Sequence, residues 1–160
     1  MRIRPFVDAD LPALTELTIE TFRPFFEGNT RSLYGEELFT VHHGQWEQDY
    51  RDELPRLHDP AARRWIAVAE VGGNVAGFVA WDSAGRPDHG RIQLLAVAEP
   101  YRRDHVATRL CRHALDAMKA DGVEVVELGT GEDAFHAAAR ALYESLGFIK
   151  VPIAGYITKL

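Results

Sequence analysis

Ile92-Gln93-Leu94-Leu95-Ala96-Val97 is an almost unbroken apolar run. A strand with one wet face alternates polar and apolar side chains, so a run of this kind suits a buried strand in the middle of a sheet. The rest of the chain must then supply neighbouring strands and helices to cover them. Trp65 to Ala69 reads as one such strand. Gly72-Gly73-Asn74 reads as a tight turn, and Val75 to Trp81 as the strand that returns beside it. Ile3 to Phe6 reads as a short first strand and Val123 to Leu128 as another. Phe148 to Val151 and Tyr156 to Leu160 read as two more, separated by Pro152. Ser83 to Gly90 is a polar loop.

Helices fill the intervals. Leu11, Leu14, Thr18 and Phe22 share one helical face, with Asp8 or Asp10 as the cap and Pro12 in the first turn. Arg23-Pro24 is expected to end that helix. Leu38, His42, Trp46, Tyr50 and Leu54 recur every four residues, which predicts a second helical region broken at Gly44. Ala107, Leu110, Cys111, Ala114 and Met118 form a stripe that Gly122 closes. Asp133 can cap a last helix carrying Ala134, Ala138, Ala141, Leu142 and Leu146, with Gly147 at its end. Strands interspersed with a few helices make the fold class mixed α/β or α+β.

The chain has 160 residues, 46% apolar and 26% charged, which suits one compact domain. Its net charge of −6 disfavours a nucleic-acid partner. No apolar stretch reaches the roughly 18 residues that a membrane span needs. No apolar run follows the N-terminus, and Cys111 is the only cysteine, so a reducing, cytoplasmic setting is expected. The charge is uneven. Residues 27–59 are acidic, and residues 100–119 are basic through Arg102, Arg103, Arg109, Arg112 and Lys119. One segment is suited to a cation and the other to an anion.

The basic segment connects the apolar strand to the Ala107–Met118 helix. A helix start offers unpaired N–H groups and the positive end of the dipole, which together favour phosphate. Arg102 and Arg103 add charge, and Ala107 leaves room for close approach. Here the chain resembles the GNAT superfamily, the Gcn5-related N-acetyltransferases. Their loop reads Gln/Arg-x-x-Gly-x-Gly/Ala and holds the coenzyme A pyrophosphate on its backbone amides. Arg102 matches the first position and Ala107 the last, while His105 stands where the family has its first glycine. The resemblance implies that Arg102, Arg103, Asp104, His105, Val106, Ala107 and Thr108 bind the acetyl-CoA pyrophosphate. It implies further that Leu95, Ala96 and Val97 lie beside the pantetheine arm.

A second motif follows: Ala139-Arg140-Ala141-Leu142-Tyr143-Glu144-Ser145-Leu146-Gly147-Phe148. It is similar, without gaps, to the downstream GNAT motif of an alanine-rich helix, Leu-Tyr and Leu-Gly-Phe. The resemblance makes Tyr143 the acid that protonates the departing coenzyme sulfur. His136 stands seven residues earlier, where many members carry a coenzyme-contacting asparagine. The implied fold is a mixed, mostly antiparallel sheet, splayed at the cofactor site and flanked by helices. Residues 1–60 are expected on the acceptor side and 91–148 in the acetyl-CoA-binding core.

The implied reaction is direct attack of a primary amine on acetyl-CoA in a ternary complex. The central strand carries Arg91 and Gln93, and neither can serve as the base. Glu127, Glu132, Asp133 and His105 are the candidates, and the residues do not choose among them. Phe22, Phe25, Phe26, Tyr34, Trp46 and Tyr50 among the acids of residues 27–59 suit a small cationic amine. A peptide or protein amine, a non-catalytic acyl-CoA-binding or protein-interaction role, and a homodimer stand beside that reading. No metal site is expected from His42, His43 and His58.

Overall fold

The computed structural model describes residues 1–83 and 85–160. Five strands form one sheet in sequence order: β1 (Arg2–Pro5), β2 (Arg64–Val71), β3 (Asn74–Asp82), β4 (His89–Val97) and β5 (Val125–Glu127). The first three pairings are antiparallel, and β4 with β5 is parallel. Gly72 and Gly73, at φ 59° and 83°, make the β2–β3 turn. Two consecutive left-handed residues match the twist of a hairpin, and glycine adopts them without a Cβ clash.

The middle strands are apolar on both faces because both are covered. On one face Ala67, Ala69, Val79, Trp81 and Ile92 meet Val106, Leu110, Cys111, Ala114 and Met118 of α4 (Val106–Ala120). On the other, Ile66, Val68, Phe78, Ala80 and Ala96 meet Leu14 and Leu17 of α1 (Leu11–Arg23), with Leu54 and Leu57. Neighbouring residues of β2 thus serve opposite cores, as the period of two requires. A third cluster, Ile19, Phe39 and Trp46, holds α2 (Arg31–His43) and α3 (Trp46–Glu53) onto α1. The break between α2 and α3 falls at Gly44, as expected, and α2 is kinked at Gly35, at φ 74°. The last helix is α5 (Ala137–Ser145).

The structure differs from the sequence reading at several places. The last helix begins at Ala137 with His136 as its N-cap residue, so Asp133 does not cap it and Ala134 precedes it. Pro24 does not end the helical path. Its φ of −62° fits a helical first turn, and a π-helical segment, Pro24–Thr30, carries the chain on into α2. Asp10 does not cap α1 with its side chain. Its carboxylate instead accepts from the Val7 amide (3.0 Å) and from both terminal nitrogens of Arg4 (2.7 and 2.8 Å). The strand read over 123–128 is shortened to Val125–Glu127. Residues 148–160 form neither of the two strands expected of them. Ile149, Val151, Ile153 and Tyr156 are exposed, and Pro152 has no N–H to give a ladder. Lys150 and Lys159 instead pair with Glu132 (2.7 Å) and Glu37 (2.5 Å). Of the polar loop read over 83–90, Ala84 lies outside the described residues.

Arg4 joins β1 to two elements at once, because its Nε also reaches Glu70 on β2 (3.0 Å). The Arg4 guanidinium holds the Asp10 carboxyl below the usual carboxylate range, outweighing the opposing effect of burial. A depressed carboxyl contributes stability above its unfolded pKa of about 4 and loses it as pH falls through the folded value. Asp10→Ala is therefore expected to cost about 1–3 kcal/mol at pH 7, leaving Arg4 half-buried without its main acceptor. Urea unfolding should show the gap between variant and native protein narrowing between pH 5 and about pH 2.

Candidate active site

The parallel ladder between β4 and β5 runs only from His89 to Arg91, opposite Val125 to Glu127. From Ile92 to Val97, β4 keeps its partner β3 and parts from β5. A cavity of about 720 Å³ opens in the gap, walled by β4, the start of α4, residues 128–130 and α5. A bulge shapes its floor. Trp81 faces Ile92 and Ala80 faces Leu94, so Gln93 is an extra residue on β4. Bulges re-aim a side chain. That of Gln93 donates to Asp82 and lines both this cavity and a smaller neighbouring one.

One end of the cavity is the start of α4. His105 is the N-cap residue, at φ 56° and ψ 16°, and no side chain caps the helix. The first helical bond runs from the Arg109 amide to the His105 carbonyl (3.0 Å). The amides of Val106, Ala107 and Thr108 precede it, so the helix offers them no acceptor. Arg103 is left-handed too, at φ 70°. Two non-glycine residues in this region turn the loop tightly at a cost of order 1 kcal/mol each. Arg102 bends back, its Nε donating to the Val97 carbonyl at the end of β4 (3.0 Å). The chain thus aims a helix dipole and two arginines at one place, which is a design for an anion.

The structure brings most of the expected residues together. Leu95, Val97, Arg102, Arg103, His105, Val106, Ala107, Thr108, His136 and Tyr143 all line this cavity. Ala96 packs its methyl into the α1 core instead, and Asp104 is exposed on the loop. Tyr143 stands on α5, half-buried, with its ring edge-on to Phe148 (5.9 Å). Burial pushes its phenol up to about 12. It is therefore protonated across the physiological range and can act as a donor. A thiolate expelled into the same apolar space is made more basic by the same desolvation. Cys111, packed in the α4 core, is likewise pushed up to about 12 by burial and is inert.

The opposite wall comes from the helices of residues 11–53. Phe22 and Tyr50 stack at 5.5 Å and line the cavity with Thr21. Most of the other aromatics expected there are structural. Phe26 stacks on Trp46 (4.7 Å), and the buried Trp46 indole donates to Glu27 (2.8 Å). The acids sort in the same way. Glu27 and Glu36 hold Arg31, Glu47 holds Arg23, and Glu37 holds Lys159. Glu53 differs. It lines the smaller cavity of about 240 Å³ with Asp82 and Gln93, and burial, then Asp49, raises its carboxyl above the usual range.

Three of the four candidate bases are engaged. Glu127 accepts from Arg91 (2.5 and 3.1 Å), Glu132 pairs with Lys150, and Asp133 binds the His136 ring (2.7 Å). His105 is exposed on the loop. Among the described residues no group of three ligating side chains could hold a metal. Among the same residues no helix is long and apolar enough to cross a membrane. Sequence reasoning missed the bulge at Gln93 and the position of Phe135, whose ring lies 6.1 Å from Phe22 and 5.7 Å from Phe25. The bulge has no local signal. Phe135 lay beside the noted His136 and could have been considered with it.

Residues 18–148 match the family model described as the Acetyltransferase (GNAT) family. A stretch of 84 residues, 52% of the chain, is 37% identical to a probable N-acetyltransferase, camello, of Xenopus tropicalis. A stretch of 61 residues, 38% of the chain, is 39% identical to N-alpha-acetyltransferase 30 of Schizosaccharomyces pombe. The matches span only 37% and 39% of those relatives' own lengths. Among solved structures, the fold is similar to the aminoglycoside antibiotic 6′-N-acetyltransferase of Acinetobacter haemolyticus. The TM-score is 0.66 at 19% identity, over 100% of this chain and 99% of that one.

The left-handed start of α4 makes a direct prediction. His105→Gly should raise stability by a few tenths to about 1 kcal/mol, since the strain it relieves exceeds the added freedom of the unfolded chain. His105→Val places a branched Cβ at the same φ and should cost about 1–2 kcal/mol. Denaturant midpoints of the two variants should move in opposite directions.

Proposed function

The chain belongs to the GNAT acetyltransferase family, and on that premise we propose that it transfers an acetyl group from acetyl-CoA to a primary amine. The observation that carries this reading is the single cavity that joins three features. They are the uncapped α4 start with its two arginines, the free edge of β4, and the protonated phenol of Tyr143. In the proposed complex the amides of residues 103–108 hold the pyrophosphate, with Arg102, Arg103 and His105 around it. Leu95, Ala96 and Val97 receive the pantetheine arm along the β4 backbone. The amine enters from the Phe22–Tyr50 side and attacks the thioester carbonyl carbon directly. The carbon–sulfur bond breaks, and Tyr143 protonates the departing sulfur. In this arrangement residues 91–148 carry the donor and residues 1–60 face the acceptor.

The acceptor we infer is a small cationic amine. Phe22 and Tyr50 supply aromatic faces, and Gln93 leads from the main cavity to the one that holds Glu53 and Asp82. A cation there would offset the burial, and after it the Asp49 charge, that raise Glu53. The similarity to an aminoglycoside N-acetyltransferase fold agrees with this choice. A peptide α-amine is the second reading, favoured by the likeness to N-alpha-acetyltransferase 30.

Thiol release from acetyl-CoA, measured over a panel of spermidine, kanamycin, lysine methyl ester and short peptides, tests the reading. At least one amine should be acetylated, with the cationic small molecules ahead of the peptides. Tyr143→Phe should lower kcat by about 10²-fold or more while acetyl-CoA affinity stays within about threefold. No turnover of any amine by native protein that binds acetyl-CoA would leave a non-catalytic acyl-CoA-binding protein. With a cationic acceptor, Glu53→Gln should raise KM about three- to tenfold with little change in kcat. An unchanged KM would move the amine away from the Glu53 pocket.

A further inference from the structure

The base that the reaction requires is not among the residues considered from the sequence, each of which is exposed or engaged. One group on the cavity wall is oriented for that work. His136 lies at the N-terminal edge of α5, and its ring nitrogen Nδ1 sits 2.7 Å from Asp133 Oδ2. Asp133 is itself fixed. Its Oδ1 accepts from the His136 amide (3.2 Å) and from Asn29 Nδ2 in the π-helical segment (3.3 Å). The ring is wedged edge-on between Phe25 (4.8 Å) and Phe135 (4.9 Å), and the side chain is only 15% exposed. A second anchor holds the loop. Arg140 Nη1 donates to the carbonyls of Gly131 (2.5 Å) and Asp133 (2.8 Å).

This geometry selects the tautomer. A carboxylate can only accept, so Nδ1 carries the hydrogen, and in the neutral ring Nε2 keeps the lone pair. Burial works against the Asp133 charge, yet the hydrogen bond and charge of His136 hold its carboxyl below the usual range. His136 lines the same cavity as Tyr143, on the side where Phe22 and Phe135 meet. An imidazole with a free nitrogen, backed by a carboxylate, is a general base.

We propose that His136, positioned by Asp133, is the general base that deprotonates the acceptor amine. The assignment rests on the acetyl-transfer reading above. The ammonium gives one proton to Nε2, and the freed lone pair forms the nitrogen–carbon bond. Collapse breaks the carbon–sulfur bond, and the sulfur takes the proton of the Tyr143 phenol. The amide nitrogen's surplus proton returns to that phenolate. The products are the acetamide and free coenzyme A, and the one proton released leaves from His136 to solvent. His136 thus does more than the coenzyme contact expected of it.

Few charged groups stand near the ring. Asp133 is the anion in contact with it. Arg140 holds the carbonyls of the same loop, and Tyr143 on α5 is neutral. Asn29, Phe25 and Phe135 are uncharged, and Arg102, Arg103 and His105 lie on the α4 side of the cavity.

The test combines two readouts on the full chain. Long-range proton–nitrogen NMR of the native protein should find His136 in the Nδ1–H form without any substrate. Thiol-release kinetics with spermidine, kanamycin and lysine methyl ester should show an acid limb in kcat. His136→Asn should remove that limb and lower kcat about 10²-fold or more, with acetyl-CoA affinity within about threefold. His136→Ala should recover turnover on addition of imidazole, which a structural histidine would not permit. Asp133→Asn should keep part of the rate, since it removes the group that orients the ring and not the ring itself. An Nε2–H tautomer, or a His136→Asn enzyme with native kcat and acid limb, would overturn the assignment alone. A native protein that acetylates none of the amines would overturn the acetyl-transfer reading and this assignment with it.

Discussion

From Ile92 to Val97 one edge of β4 has no strand beside it, because β5 parts from it after Arg91. Backbone donors and acceptors inside a protein must find partners, and a strand edge within a cavity can be served by water or by a ligand that imitates a strand. The rest of the fold holds that edge open. The antiparallel pairing with β3 and the two apolar layers fix β4 in place. The sequential order of the five strands in one sheet leaves only a three-residue β5 to diverge. α4 packs beneath through Val106, Leu110, Cys111, Ala114 and Met118, so its N-terminus is delivered to the open end of the gap.

Two kinds of electrostatics then share one cavity. At the α4 end, partial charges of the backbone do most of the work, with Arg102 and Arg103 adding full ones. They sit at fixed positions because the loop accepts left-handed geometry at Arg103 and His105. On the opposite wall the acids are mostly consumed in ion pairs that stitch residues 16–51 together. What survives for chemistry is small and local: Glu53 beside Gln93, and Asp133 behind His136. The protonated Tyr143 and the Nδ1-tethered His136 have opposite proton-transfer capacities, as a reaction that both removes and delivers a proton requires.

Much of this was legible in the chain. The apolar run at 92–97, the double-glycine turn and the α4 stripe each encode one element through local periodicity, and all three are in the structure. The loop and the Tyr143 helix were legible because their motifs are contiguous, and the fold places both on one cavity. The π-helical passage through Pro24 was not legible, because a proline reads as a stop unless it falls in the first turn of a new helical segment, where its absent N–H has no partner to lose. The strands expected after Gly147 find no partner in the sheet, and a short apolar segment does not by itself supply a partner edge. The Gln93 bulge depends on the register between β3 and β4, which no local pattern carries. Asp133 was read as a cap. Its contact with His136, three residues on, follows from the same turn geometry but becomes visible only when both side chains are placed.

The central claim is that an acyl-CoA occupies the open edge of β4 and the start of α4. Amide hydrogen exchange with and without saturating acetyl-CoA measures this directly, because ligand hydrogen bonds slow the exchange of the amides that make them. The account predicts slowed exchange in residues 93–97 and 103–108 together, with α2 unchanged. Slowing confined to other segments, or unchanged exchange at a concentration where binding is saturated, would contradict it.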